Sequence, residues 1–328
     1  MEFGIQLANL EPARIRDLAQ AAEGLGFDYV LFPDHIVLEG PERQFDPHAL
    51  AWDMVAMATY AAAATKRIRI GHLVLCNLFR HPAITAQSLM TLDHVSGGRA
   101  VAGLGSGWTE SEFRMTGIPF PPITARLRML DEALTVVKSL WTKEQTNFDG
   151  EFYKLKDAIL WPKPVQKPHP PIFVGGGGKG LLRIAAKHAD YLNIIPDAGK
   201  GGHISMDNFR NLTTESFREK TALVKEEAKR NGRNAEAVKF SSFLFMVQIT
   251  DSPDATRKTA GALAGGFGLT ADQLLQSPMM LIGTPDQCVA ELRRRSTQWG
   301  VSQFIFSAFS GLDEASLRRL KEQVLAHL

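Results

Sequence analysis

Cysteine is scarce: Cys76 and Cys288 are the only two in 328 residues, so no disulfide framework holds this chain together. Excess charge is lacking as well, since 37 basic and 35 acidic residues leave a formal net charge of +2. With no Lys/Arg block and no ladder of aromatic and basic residues, nothing argues for a nucleic-acid partner. The uncharged apolar stretches 56–65 and 241–249 fall short of the roughly 18 residues that suggest a membrane span. Residues 1–7 lack the basic region and long apolar core of a signal peptide. An HExxH motif is missing, and the first strand has no His-x-His pair of the kind metal-dependent barrel hydrolases use. The expectation is a soluble cytoplasmic protein that acts on a small molecule, with no metal, membrane or nucleic acid involved.

What the chain does have is apolar material, 45% of its residues against 22% charged. That is enough for one large core, and a single domain over 1–328 is expected. Short β-rich runs alternate with helix-period runs from end to end. Strands are expected at 3–7, 29–32, 68–75, 100–104, 172–174, 191–195, 240–248 and 303–307. The helices that follow them are expected at 12–25, 49–64, 82–95, 123–140, 180–188, 213–231, 285–299 and 314–327. The clearest of these carries Ile123, Leu127, Leu130, Leu134, Val137 and Leu140 as one apolar stripe. Thr284 and Gln287 stand at capping-box spacing, and Gly300 closes the same helix. Outside the alternation, 148–153 with Asp149-Gly150 reads as a hairpin that covers part of a pocket.

Eight strand-then-helix units favour a (β/α)8 TIM barrel, with insertion loops at the C-terminal face of the strands, over an open doubly wound sheet. Functional side chains are then expected just after each strand. The most informative junction follows the fifth strand, where Gly175, Gly176, Gly177 and Gly178 precede a helix. Glycines there let backbone amides approach an anion, and the helix amino terminus adds partial positive charge. The run also matches a literal dinucleotide fingerprint, Gly175-x-Gly177-x-x-Gly180, but four barrel units before it argue against a Rossmann start. A tight, flexible turn is the plainer alternative.

Asp34 and His35 directly follow the second strand. A histidine at that rim can exchange a proton near neutral pH, the alternative being an ordinary turn with Asp34 capping local backbone. After the fourth strand, Gly103, Gly105 and Gly107 flank Ser106, a setting in which a flat ring can lie against backbone. Trp108 either walls that ring or packs under the next segment. Glu110 and Glu112 are candidate acids or the start of a solvated helical turn. Cys76 reads as an apolar rim contact rather than a nucleophile. Arg80 and His81 read as helix-start residues, and His72 and His94 as structural histidines.

Taken in order, these residues make the chain resemble the luciferase-like monooxygenase superfamily, especially its branch that uses the deazaflavin coenzyme F420. The resemblance spans nearly the full length. It rests on Pro33-Asp34-His35, Arg80-His81-Pro82, Leu92-Asp93 with Ser96-Gly97-Gly98-Arg99, and Gly103-x-Gly105-x-Gly107-Trp108. It continues through Pro162-Lys163-Pro164-Val165-Gln166, His169-Pro170-Pro171-Ile172 with the glycine run, and Leu281-Ile282-Gly283-Thr284-Pro285.

The resemblance implies a barrel with a deazaflavin or flavin in its mouth. The coenzyme phosphate would rest on Gly175, Gly176, Gly177 and Gly178 with Ile195 nearby. A nonprolyl cis peptide is implied at Leu73-Val74, with Cys76 close to the ring's polar edge. Asp34, His35, Ser106 and Gly107 would also meet the ring, and His35 would give or take the proton that accompanies hydride transfer. Where sugar-phosphate dehydrogenases of this branch carry glutamate, this chain has Trp108, which suggests an apolar or unsaturated substrate. Glu110 is then the nearest replacement acid. The alternatives are an FMN-dependent monooxygenase supplied by a partner flavin reductase, and a flavin-binding barrel without chemistry. A homodimer with apolar surface on its early helices is implied. The stretches 36–49, 108–123, 197–213 and 250–280 suggest by their length a lid over the substrate.

Overall fold

The computed structural model describes residues 1–37, 46–197, 206–307 and 311–328. The first units are β1 (Glu2–Gln6), α1 (Pro12–Gly24), β2 (Tyr29–Phe32), α2 (Met54–Ala63), β3 (Arg69–His72), β4 (Leu75–Cys76) and α3 (Pro82–Val95). Then come β5 (Ala100–Gly105), α4 (Glu110–Thr116), α5 (Ile123–Thr142), β6 (Thr146–Asp149), β7 (Lys154–Ala158), β8 (Ile172–Gly175), α6 (Lys179–His188) and β9 (Tyr191–Ile194). The chain continues with α7 (Met206–Asn211), α8 (Thr214–Arg230), β10 (Lys239–Leu244), β11 (Met246–Ile249), α9 (Pro253–Ala264) and α10 (Ala271–Gln276). It closes with β12 (Met280–Gly283), α11 (Pro285–Trp299), β13 (Val301–Ser307) and α12 (Glu314–Gln323).

Strands β1, β2, β3, β5, β8, β9, β10 and β13 pair in parallel in that order, and β13 pairs back onto β1. The sheet is therefore a closed (β/α)8 barrel, with β4 extending beside β5 past the break after β3. Inward side chains fill the lumen: Tyr29, Leu31, Leu73, Val101, Phe173, Tyr191 and Ile305 form one apolar cluster. A larger apolar layer lies between strands and helices. Helix α1 buries Ile15, Leu18, Ala19 and Ala22 against it, and α5 buries Leu130, Leu134, Val137 and Leu140.

Local chemistry sets several boundaries differently from the sequence expectations. The helix expected from residue 49 starts at Met54, because the Asp53 side chain accepts the Ala56 amide at 2.9 Å and caps it there. The strand expected over 68–75 breaks after His72 at a cis Leu73–Val74 peptide. The strand expected over 240–248 divides: β10 stays in the barrel, whereas β11 pairs with β12 in a separate two-stranded sheet. Between 250 and 280 the chain folds into α9 and α10 around Ala260, Ala264, Leu274 and Met280, a packed layer rather than an irregular loop. Parts of 36–49 and 197–213 lie outside the described residues. Among the described residues, no helix is long and apolar enough to cross a membrane.

Candidate active site

Because all barrel strands run parallel, their carboxyl ends share one rim, and the loops after β2, β4, β5, β8 and β9 meet there. The loop after β2 supplies Asp34, which is buried, and its carboxylate is fully engaged. Oδ2 accepts the Cys76 amide at 2.9 Å and Arg80 Nη1 at 2.6 Å, while Oδ1 accepts Arg80 Nη2 at 3.2 Å. Burial works against the Arg80 cation, but the bonds and charges of Asp34 and Asp53 together outweigh it and its pKa is raised. Asp34 thus braces β2 against β4, and Arg80, two residues before α3, is its ion-pair partner. His81 does cap α3, accepting the Ala83 amide at 3.2 Å.

His35 Nδ1 lies 2.9 Å from Oε2 of Glu112. The other oxygen of Glu112 accepts the amides of Ile36 at 2.8 Å and Val37 at 3.2 Å. Glu112 is 2% exposed and the His35 side chain 20%. The Trp108 ring packs edge-on to the imidazole, with centroids 5.6 Å apart at 83°. Of the two acids named from sequence, Glu110 is exposed in the first turn of α4, and Glu112 is the one brought to His35. The reason is helical: α4 starts at Glu110, so residues two and three positions on, Glu112 and Phe113, turn inward. A helical turn opening at these acids was one sequence reading, but that reading took both acids as solvated, and Glu112 is buried.

Glycines line the rest of the rim. A Cβ on Gly105 would lie 2.6 Å from Val74 Cγ2, and one on Gly175 would lie 3.2 Å from Val74 Cγ1, so Val74 occupies the space these residues leave open. Gln6, projecting inward from β1, donates Nε2 to the Leu73 carbonyl at 2.8 Å and fixes the same segment. Ser106 is buried and Gly107 has φ +75°. A Cβ on Gly107 would come within 2.9 Å of Cys76 Sγ. Burial pushes the Cys76 thiol up to about 12, which makes it a packed apolar contact rather than a nucleophile. Beneath this loop, buried Arg126 of α5 donates Nη1 to the Gly107 carbonyl at 2.6 Å and lies over the Phe120 ring at 3.9 Å.

The glycine run closes β8 and opens α6. Gly176 has φ +150°, a conformation costly for a residue with a side chain, and its amide donates to the Asn193 carbonyl at 3.0 Å. A Cβ on Gly177 would collide with the Ile195 carbonyl, which brings Ile195 of the loop after β9 onto the seat. Gly178 caps α6 without a side-chain bond, and the first helical bond runs from the Leu182 amide to the Gly178 carbonyl. The amides of Lys179, Gly180 and Leu181 therefore have no acceptor within the helix. Lys220 of α8 donates Nζ to the Gly177 carbonyl at 2.6 Å, and burial lowers its pKa against the pull of Asp197. A cavity of about 290 Å³ opens beside this loop, lined by Asp197, Asn208, Asn211, Leu212 and Lys220.

The structural histidines take the places expected of them. His72 is buried with Nε2 3.2 Å from the Met54 carbonyl, and burial lowers its pKa to about 4. His94 contacts the Lys163 carbonyl at 2.9 Å. The hairpin is β6 and β7, paired antiparallel, and its Tyr153 accepts a bond from Asn77 Nδ2 at 3.1 Å while standing edge-on to His81. It braces the loop after β4. Sequence reasoning missed Gln6, Arg126, Lys220 and Tyr153. Gln6 alone had a legible signal, a polar residue in the inward phase of a buried strand.

Comparison with known proteins gives the family. The family model for luciferase-like monooxygenases matches residues 2–278, and the chain belongs to that family. Over 327 residues it is 28% identical to the F420-dependent glucose-6-phosphate dehydrogenase of Amycolatopsis mediterranei (strain U-32), with 97% of this chain and 95% of that one aligned. A protein of the same name from Kineococcus radiotolerans is 35% identical over 212 residues. That match covers 63% of this chain and spans only 58% of the relative's length. The FMNH(2)-dependent dimethylsulfone monooxygenase of Pseudomonas putida is 32% identical over 196 residues, 60% of this chain and 52% of that one. The solved F420-dependent tetrahydromethanopterin reductase from Methanopyrus kandleri shares the fold, with a TM-score of 0.75 at 22% identity and 99% of both chains covered.

Proposed function

We propose that this chain is an oxidoreductase that uses coenzyme F420 for hydride transfer to or from a small organic substrate of apolar or unsaturated character. The observation that carries this reading is one rim holding both a glycine seat at a helix start and an imidazole gripped by a buried carboxylate. The seat fits a phosphate: the first-turn amides of α6 lack helical acceptors, and Gly177 has no room for a side chain beside Ile195. In this reading Gly175, Gly176, Gly177, Gly178 and Ile195 hold the phosphate, and Leu73, Val74, Cys76, Ser106 and Gly107 border the ring. Asp34 contributes from behind, by holding the Cys76 amide and Arg80 in place. Trp108 walls the substrate pocket.

When bound, the coenzyme supplies the carbon that gives or takes a hydride. His35 is the catalytic residue that moves the accompanying proton. Glu110, exposed on α4, has no part in that step in this reading. The packed rim orients the reactants and keeps water away from them.

FMN is the second reading, in a monooxygenase fed by a partner flavin reductase. The similarity to the Pseudomonas putida enzyme favours it. A cytoplasmic homodimer, with Tyr60 of α2 and Ile84 of α3 as exposed apolar residues on the early helices, belongs to both readings. Sedimentation of the purified chain checks the dimer. Titration with F420 and with FMN, followed by absorbance and fluorescence, checks the coenzyme: saturable F420 binding is expected. Tight FMN binding without F420 binding transfers the assignment to FMN, and binding of neither overturns both.

A further inference from the structure

We infer that Glu112 is the positioning residue of this site: it locks His35 in the tautomer with hydrogen on Nδ1, so that Nε2 is the atom that exchanges a proton with substrate or coenzyme. The inference deepens the proposed role of His35 and rests on that reading for its catalytic consequence, though not for the tautomer. Three nitrogen groups converge on this buried carboxylate. Ile36 and Val37 are backbone amides and can only donate, and both point to Oε1 at 2.8 and 3.2 Å. Oε2, left to face His35 Nδ1 at 2.9 Å, has only lone pairs to offer as a carboxylate, so Nδ1 must carry the hydrogen. Trp108 fixes the ring plane from a second side, with its centroid 5.6 Å from that of the imidazole. Among the described residues Nε2 makes no hydrogen bond.

The arrangement makes Glu112→Gln an unusually informative change. The amide is nearly the same size, and the two backbone donors will hold its oxygen where Oε1 now lies. Its NH2 group must then face His35 Nδ1, which becomes the acceptor. The hydrogen moves to Nε2, and the ring is left in place in the wrong tautomer.

The test is long-range proton–nitrogen NMR on full-length protein labelled at histidine nitrogen. The His35 signals are assigned by their loss in His35→Gln and read at a pH above the imidazole titration. The wild type is expected to show a protonated, pyrrole-like Nδ1 and a pyridine-like Nε2, and Glu112→Gln the reverse. Turnover in Glu112→Gln is expected to fall about 10²- to 10⁴-fold with KM changed only a few-fold. A wild-type ring with hydrogen on Nε2 overturns the inference, and that measurement needs no folded variant. So does a folded Glu112→Gln protein that keeps the wild-type tautomer or full turnover. If the tautomers behave as stated but neither F420 nor FMN binds, the coenzyme reading fails and the positioning role stands.

Discussion

Removing the Asp34 carboxylate should destabilise the whole barrel, not merely weaken a ligand site. The Asp34 and Arg80 side chains are 6% and 18% exposed, and their bonds at 2.6 and 3.2 Å are joined by the Cys76 amide at 2.9 Å. Taking one partner from such a pair strands the other, at a cost of about 3–5 kcal/mol. Arg80 keeps a second acid, Asp53, at 3.2 Å, but that carboxylate is 57% exposed and gives partial relief. The lower end, about 3 kcal/mol, is therefore expected for Asp34→Ala. With 328 residues and an unfolding entropy of about 2.1 cal/mol/K per residue, that lowers the melting temperature by about 4 °C. Calorimetry and urea unfolding on coenzyme-free protein measure it. A variant that melts like the wild type but has lost coenzyme affinity refutes the reasoning, since that is the behaviour of a direct coenzyme ligand.

Other expectations concern the glycine seat and the buried cysteines and histidine. Gly177→Ala drives a methyl into the Ile195 carbonyl and should lower coenzyme affinity at least about tenfold; unchanged titration curves contradict the phosphate seat. Burial raises both cysteine thiols from 9.0 to about 12, so neither should react with a thiol reagent at pH 8 until the chain unfolds, and fast modification of the native protein overturns this. The same shift means that the unfolded chain loses thiol protons first, so stability should decline as pH rises from about 9 toward 12. His72 is shifted the other way, from 6.5 to about 4, chiefly by burial. The unfolded state then binds the proton first, and stability should fall by about 3 kcal/mol between those two pH values. The contribution is read as the difference from His72→Gln, and parallel pH profiles for the two proteins would show that His72 plays no part.

The alternation of strands and helices was legible because each element carries its own period and its own stops. Pro82 and Val95 bound α3 as expected, and Thr284, Gln287 and Gly300 bound α11. The rim was legible too, because parallel connections leave Asp34, His35, Ser106 and the glycine run at one end of the strands. What could not be read was how those side chains divide the work. The acidic pair at 110 and 112 differs only in phase on a seven-residue helix, and phase has meaning only once Thr109 and Gly117 set where that helix starts and stops. The division of 240–248 was hidden for a similar reason: both halves are apolar and β-prone, and only the partner available to each, β13 or β12, separates them.

The sequence alone therefore determined the barrel, its direction and the positions that could reach its mouth, because periodicity, capping residues and glycine placement are local properties. Tertiary structure decided which groups meet. Asp34 is committed to Arg80, 46 residues away, and His35 to Glu112, 77 residues away. Arg126 is brought to Gly107 by α5, which folds back along β5, and Lys220 to Gly177 by α8, which packs on α6. Such pairings follow from barrel closure and burial, which force each polar group at the rim to find a partner across loops that no local pattern connects.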